Sequence, residues 1–142
     1  MSRDGMISFI EPSGLDGAAT ITADVTEYFV MPNAGHIVKC YSLVESAPDF
    51  TTTDEQGRVL IDYDPNGDGN FADAITIHTE NLANANTWTA LVPKAHVIST
   101  LSGGIPIRIP AGVLVRVRFD VNGTTPSFPT LHVAIGVQFI AP

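Results

Sequence analysis

Oxygen-bearing side chains recur at alternate positions in the segment Asp64-Pro65-Asn66-Gly67-Asp68-Gly69-Asn70-Phe71-Ala72-Asp73. This spacing follows the first half of the calcium-loop pattern D-x-[DN]-x-[DN]-G. Ca²⁺ is a hard cation that takes about six to eight oxygens. Asp64, Asn66 and Asp68 can converge on one ion because Gly69 permits a sharp reversal. Asn70, through its carbonyl, and Asp73 could complete the shell, with Asp62 close by. Ile75 stands at the twelfth position, where an EF-hand carries its bidentate glutamate, so this is not an EF-hand. The metal role expected is structural and weak in affinity, with Ca²⁺ screening carboxylates that otherwise repel one another. The competing account is a metal-free hairpin loop, because Asp, Asn and Gly also favour turns.

Other chemistry is sparse. His36, His78, His96 and His132 fall on different predicted elements, and no two share an i,i+2 or HxxxH spacing. Sandwich strands can bring distant histidines together, which leaves a zinc site open; the plainer expectation is exposed strand histidines. Cys40, the single cysteine, lies in an apolar strand with Lys39 pointing to the opposite face, which predicts an inert buried thiol. There is no GxSxG, SxxK or paired Cys/His signature, and no carboxylate pair marks a sugar cleft, so no catalytic residue is assigned. Trp88, the only tryptophan, is expected in the core rather than stacked on a sugar. Arg116 and Arg118 share the outer face of one strand, with Arg108 beside them. They are expected to give solubility and edge protection, or to pair with acidic loops of another subunit.

The elements that must position these residues have a period of two. Val113, Val115, Val117, Phe119 and Val121 alternate with Leu114, Arg116, Arg118 and Asp120. Leu131, Val133, Ile135, Val137 and Phe139 repeat the pattern. Both are half-buried strands. Weaker strand signals cover residues 7–10, 19–25, 28–31, 37–44, 59–63, 75–79, 87–91 and 106–109. Turn signals separate them at residues 12–14, 32–35, 64–67, 103–104, 110–112 and 122–123. Helical turns are expected only around residues 80–84 and 93–99. In residues 37–44, Ile37, Tyr41 and Leu43 are expected on one face and Val38, Cys40 and Val44 on the other. A strand apolar on both faces needs a second cover, either a loop or a subunit interface. The fold predicted is all-β: an antiparallel β-sandwich, jelly-roll-like, of roughly 8–10 strands. Residues 1–14 are expected to form an N-terminal arm, and 15–142 a single domain.

Composition narrows the function classes. The chain has 142 residues, enough for one core, with 44% hydrophobic and only 15% charged residues. Seven basic and fifteen acidic residues give a net charge of −8. Such a chain lacks the Lys/Arg field that nucleic-acid binding needs, and an anionic membrane would repel it. No apolar run approaches the roughly 20 residues of a membrane span, and no apolar core follows Met1, so neither a span nor a secretory signal is expected.

The run Tyr28-Phe29-Val30-Met31-Pro32-Asn33-Ala34-Gly35-His36-Ile37-Val38-Lys39-Cys40-Tyr41-Ser42 resembles the first core strand pair of small tailed-phage virion proteins. The stretch Ile107-Arg108-Ile109-Pro110-Ala111-Gly112-Val113-Leu114-Val115-Arg116-Val117-Arg118-Phe119-Asp120 is similar to their later x-I-P-A-G-x-x-V-x-V step, and a terminal strand over residues 131–140 closes such domains. These are head decoration or cement proteins and related fibre modules. The resemblance, which covers most of residues 19–142, implies a non-enzymatic virion component. It would bind the outer surface of the major capsid protein lattice, often as a homotrimer, after assembly in the host cytoplasm. Mass action favours such binding when the partner is the assembled lattice rather than free subunits. The contact residues expected are Ile7, Phe9 and Ile10 of the arm, and Phe50 and Phe128 in loops. The alternatives are a calcium-dependent carbohydrate-binding module, the receptor-binding tip of a tail fibre, and a small jelly-roll metalloenzyme.

Overall fold

The computed structural model describes residues 7–10, 24–46, 56–80, 88–122 and 131–140. These contain ten strands: β1 (Ile7–Ile10), β2 (Val25–Val30), β3 (Gly35–Val44), β4 (Gln56–Tyr63), β5 (Ile75–His78), β6 (Lys94–Ala95), β7 (Thr100–Leu101), β8 (Ile105–Pro106), β9 (Leu114–Asn122) and β10 (Leu131–Phe139). Sheet I has the order β1-β10-β3-β6 and sheet II the order β2-β9-β4-β5; β7 and β8 form a separate hairpin. All pairings are antiparallel. The pairing is nested: β1 lies against β10, β2 against β9, β3 against β6 and β4 against β5. The chain is therefore an antiparallel β-sandwich. Among the described residues there is no helix long and apolar enough to cross a membrane.

Alternation builds the core. Ile37, Cys40 and Val44 of β3 and Leu131, Val133, Ile135 and Val137 of β10 meet Val59, Ile61 and Tyr63 of β4 and Val115, Val117 and Phe119 of β9 in one buried cluster. Each such aliphatic side chain contributes about 1.5–3 kcal/mol when withdrawn from water. Trp88 stacks edge-on against Phe119 at 6.0 Å and closes one side of the cluster. The core therefore holds Trp88, as its composition context predicts.

One expectation about β3 fails for a local reason. The register against β10 jumps between Gly136↔Lys39 and Val137↔Ile37, which leaves Val38 as an extra residue. A bulge of this kind reverses the in–out phase of everything after it. Ile37 thus faces inward together with Cys40, Ser42 and Val44, while Tyr41 and Leu43 turn to the outer face and are half-buried. The bulge brings Ser42, a hydroxyl, into the interior, where it acquires a function described below. Just before it, Gly35 packs so close to β10 that a Cβ there would lie 2.7 Å from the Gln138 carbonyl oxygen.

The helical turn expected over 93–99 is absent. Ala95 and Lys94 pair with Tyr41 and Ser42, the His96 amide donates to the Cys40 carbonyl, and the Ser99 amide donates to the Ile77 carbonyl. Inter-strand bonding outcompetes a helix in a segment with a proline at its start. Residues 88–91 form no strand either; Leu91 adopts a left-handed backbone (φ 59°) and its amide donates to the Val44 carbonyl. Within residues 106–109, strand β8 ends at Pro106, and Ile109 makes an isolated bridge to Gly35. Residues 7–10 form β1, an edge strand of sheet I in register with residues 135–138 of β10. Most of the strand signal over 19–25 and the helical signal over 81–84 lies outside the described residues.

Candidate metal centre

Two clusters of potential ligands exist among the described residues. In each, one atom per residue lies within 4.8 Å of the others: Asp64, Asp68 and Asp73 in the first, and His78, Glu80 and His96 in the second.

The first cluster sits in the loop between β4 and β5. Asp64 is fully buried, and its carboxylate accepts the backbone N–H groups of Asn66 (3.1 Å), Gly67 (3.1 Å) and Gly69 (2.7 Å). Gly67 and Gly69 have φ of 70° and 79°, so they supply the left-handed positions this wrap needs. The Asn70 amide donates to Asp68, the Ala72 amide donates to Asn70, and the Asn66 side-chain amide donates to Asp73. Of the five loop ligands expected from sequence, the carboxylates of Asp64, Asp68 and Asp73 do converge. The Asn66 side-chain nitrogen and the Asn70 side-chain oxygen are engaged within the turn. Asp62 turns away to the outer face of sheet II, where Arg116 binds it in a bidentate pair (2.9 and 2.5 Å). Phe71 pins the loop onto the sheet, 4.3 Å beneath the Arg116 guanidinium and 5.8 Å from the Tyr28 ring. β9 is a central strand, so Arg116 neutralises a neighbouring strand rather than guarding an edge.

The second cluster lies where the two outermost strands β5 and β6 approach from opposite sheets. His78 ends β5, Glu80 follows two residues later, and His96 directly follows β6. His78 and His96 are buried, at 4% and 7% exposure, which overturns the expectation of exposed strand histidines at both positions. Their rings meet edge-on at 4.9 Å. His78 Nδ1 lies 2.6 Å from the Val97 carbonyl. A carbonyl only accepts, so Nδ1 carries the proton and Nε2 presents a lone pair. His96 Nε2 bonds Ser42 Oγ at 2.6 Å, which leaves Nδ1 as the free nitrogen. Glu80 Oε1 accepts the Val59 amide at 2.9 Å, while Oε2 stands 3.8 Å from His96 Nδ1, an ion-pair separation too long for a hydrogen bond. His78 Nε2 and His96 Nδ1 are buried without a hydrogen-bond partner. Each such orphan costs about 1–3 kcal/mol of desolvation.

Three neighbours shape the pocket. Trp88 Nε1 donates to Ser42 Oγ at 2.8 Å, so indole, hydroxyl and imidazole form one chain. Lys94 Nζ sits 4.0 Å over the Trp88 ring. Burial holds Lys94 below its usual pKa, with Glu80 opposing. Burial also lowers the pKa of His78, and the Val97 hydrogen bond offsets this only in part. Burial alone would raise Glu80, but the nearby His96 and the Val59 amide more than compensate and hold it below the usual carboxylate range. Cys40 is buried, and its thiol is pushed up to about 12 by burial and by the Glu80 charge, in keeping with an unreactive core residue.

Sequence reasoning compared the histidines only with one another and so missed Glu80. The signal was present in His78-Thr79-Glu80, because residues two apart on an extended chain point to the same side. His36 bonds the Ile107 carbonyl and His132 bonds Glu45; neither joins the pocket. Of the expected partner contacts, Ile7, Phe9 and Ile10 lie on edge strand β1, while Phe50 and Phe128 lie outside the described residues. No family model matches the chain, and no curated protein or solved structure matches it.

Proposed function

We propose that this chain is a non-enzymatic virion structural protein of the decoration or cement type, acting by binding an assembled capsid surface as a homo-oligomer. The observation that carries this reading is an apolar surface along residues 91–105. Leu91, Val92, Val97, Leu101 and Ile105 are each more than half exposed, and Val97 reaches 82%. Leu101 and Ile105 are cross-strand partners in the β7–β8 hairpin, so part of this surface is contiguous. Leu91 is held outward by a left-handed backbone that disfavours a leucine, a strain of the kind found at interaction sites. Exposed apolar patches on a soluble domain mark surfaces that meet a partner.

The nested strand pairing supports a jelly-roll reading, an architecture common to viral shell domains. Multivalent attachment through a symmetric oligomer makes weak single contacts sufficient. Under the same reading, the 64–73 loop takes a structural Ca²⁺ through Asp64, Asp68 and Asp73, with low affinity because both Asp64 oxygens already serve the turn and no bidentate glutamate completes the shell. The sugar-binding alternative gains no support from Trp88, which is buried with its indole N–H committed to Ser42.

Size-exclusion chromatography with light scattering, followed by co-sedimentation with empty capsids, tests the proposal. The expected result is a trimer that sediments with capsids, with both properties lost in Val97→Asp and Leu101→Asp variants. A monomer that ignores capsids, or variants that bind as well as the parent, would overturn it.

A further inference from the structure

We propose that the His78–Glu80–His96 pocket binds one Zn²⁺ ion per chain, a site separate from the capsid-binding reading. Three independent features point to a borderline transition ion. The donor set is two imidazoles and one carboxylate, a combination that suits zinc and does not suit Ca²⁺ or Mg²⁺, which want oxygen shells. The free ligand atoms are those left over once each side chain has been oriented by another group: Val97 carbonyl on His78 Nδ1, Ser42 on His96 Nε2, and the Val59 amide on Glu80 Oε1. Such outer partners fix tautomer and ring direction in metal sites. The two leftover ring nitrogens belong to buried side chains and have no hydrogen-bond partner; His78 Nε2 presents a lone pair, and His96 Nδ1 does so in the tautomer whose Nε2 proton goes to Ser42.

All three ligand atoms lie within 4.8 Å of one another, within reach of a single ion. Zinc bonds of about 2.0–2.1 Å in a tetrahedron set ligand atoms about 3.3 Å apart. His96 Nδ1 and Glu80 Oε2 are 3.8 Å apart, so a contraction of about half an ångström, within rotamer adjustment, brings them to that spacing. Glu80 is partly exposed, so the carboxylate end of the ligand set reaches solvent, and a water would complete a four-coordinate zinc. His78 ends the outermost strand of sheet II and His96 adjoins that of sheet I, so a bound ion ties the two sheets together along their open side.

Trp88 makes the test specific. It is the sole tryptophan, and it reaches His96 through Ser42, so the chain's tryptophan emission comes from a ring beside this pocket. The folded chain, stripped with EDTA and dialysed, is titrated with ZnCl₂ while Trp88 fluorescence and metal content are followed; CoCl₂ is used in parallel for its visible absorption. The expected result is one zinc per chain, a Trp88 change complete at one equivalent, and cobalt bands of a four-coordinate nitrogen–oxygen site. His78→Gln and Glu80→Gln are expected to weaken binding by more than the roughly 10–100-fold that loss of an outer-shell partner costs. Glu80→Gln keeps an oxygen for the Val59 amide, so it remains informative if His78→Gln fails to fold. Zinc that binds without moving Trp88, binding lost in His36→Gln or His132→Gln and kept in Glu80→Gln, or no stoichiometric binding would each overturn the proposal.

Discussion

The 64–73 loop and the His78–Glu80–His96 pocket each gather three ligand-type side chains within 4.8 Å, yet their polar atoms are in opposite states. In the loop, the buried carboxylate of Asp64 already accepts three amides, and Asp68, Asn70 and Asp73 each accept another donor. The loop's backbone folds around its own acid. In the pocket, every side chain is positioned from behind and left open in front, with two ring nitrogens orphaned. Convergence of ligand types alone is therefore a poor guide to a metal site; what separates the two regions is whether the converging atoms are already used.

This contrast can be broken most readily at Asp64. Asp64→Ala orphans three amides of a buried turn and is expected to cost about 3 kcal/mol in urea denaturation, whereas Asp68→Asn and Asp73→Asn should each change stability by under about 0.5 kcal/mol. Equal costs at the three positions would show that the loop is held by its charges rather than by its turn. Next in size, Ser42→Ala removes the hydroxyl that Trp88 and His96 share and is expected to cost about 2 kcal/mol and to shift Trp88 emission. Phe71→Ala, which unpins the loop from Arg116 and Tyr28, should cost about 1 kcal/mol and leave Trp88 emission unchanged.

Two smaller effects sharpen the account of the pocket. His78 has a lowered pKa in the folded chain, so the unfolded chain binds more protons just below pH 6.5. In EDTA, stability should therefore be full above about pH 6.5 and decline as pH falls toward the folded-state value, with Glu80 adding a further loss as pH falls from the usual carboxylate range through its own depressed value. Thermal melts across this interval check the sign; stability that rises on acidification would contradict it. Cys40, pushed up to about 12, should resist maleimide at pH 8 in the native chain and react once urea unfolds it.

The strands β9 and β10 were legible because large apolar residues recur at every second position, Val115, Val117 and Phe119 in the one and Leu131, Val133, Ile135 and Val137 in the other. β3 was legible as a strand but not in phase, since the bulge at Val38 depends on how β10 docks and leaves no local mark. The loop could be located from its Asp, Asn and Gly, but not its internal saturation, because backbone amides are invisible in a list of side chains. The pocket was hidden for a topological reason: His78 and His96 are brought together only when outermost strands of opposite sheets close on each other, and Ser42 reaches them only because of the bulge. Glu80 alone offered a local cue, through its two-residue spacing from His78.

The most direct test of the contrast is a zinc titration of Trp88 fluorescence in the Asp68→Asn/Asp73→Asn double variant beside the parent chain. The account predicts the same one-equivalent response in both, because zinc goes to the imidazoles of the pocket, while the all-oxygen loop is a site for Ca²⁺. A response present in the parent and lost in the double variant would contradict it.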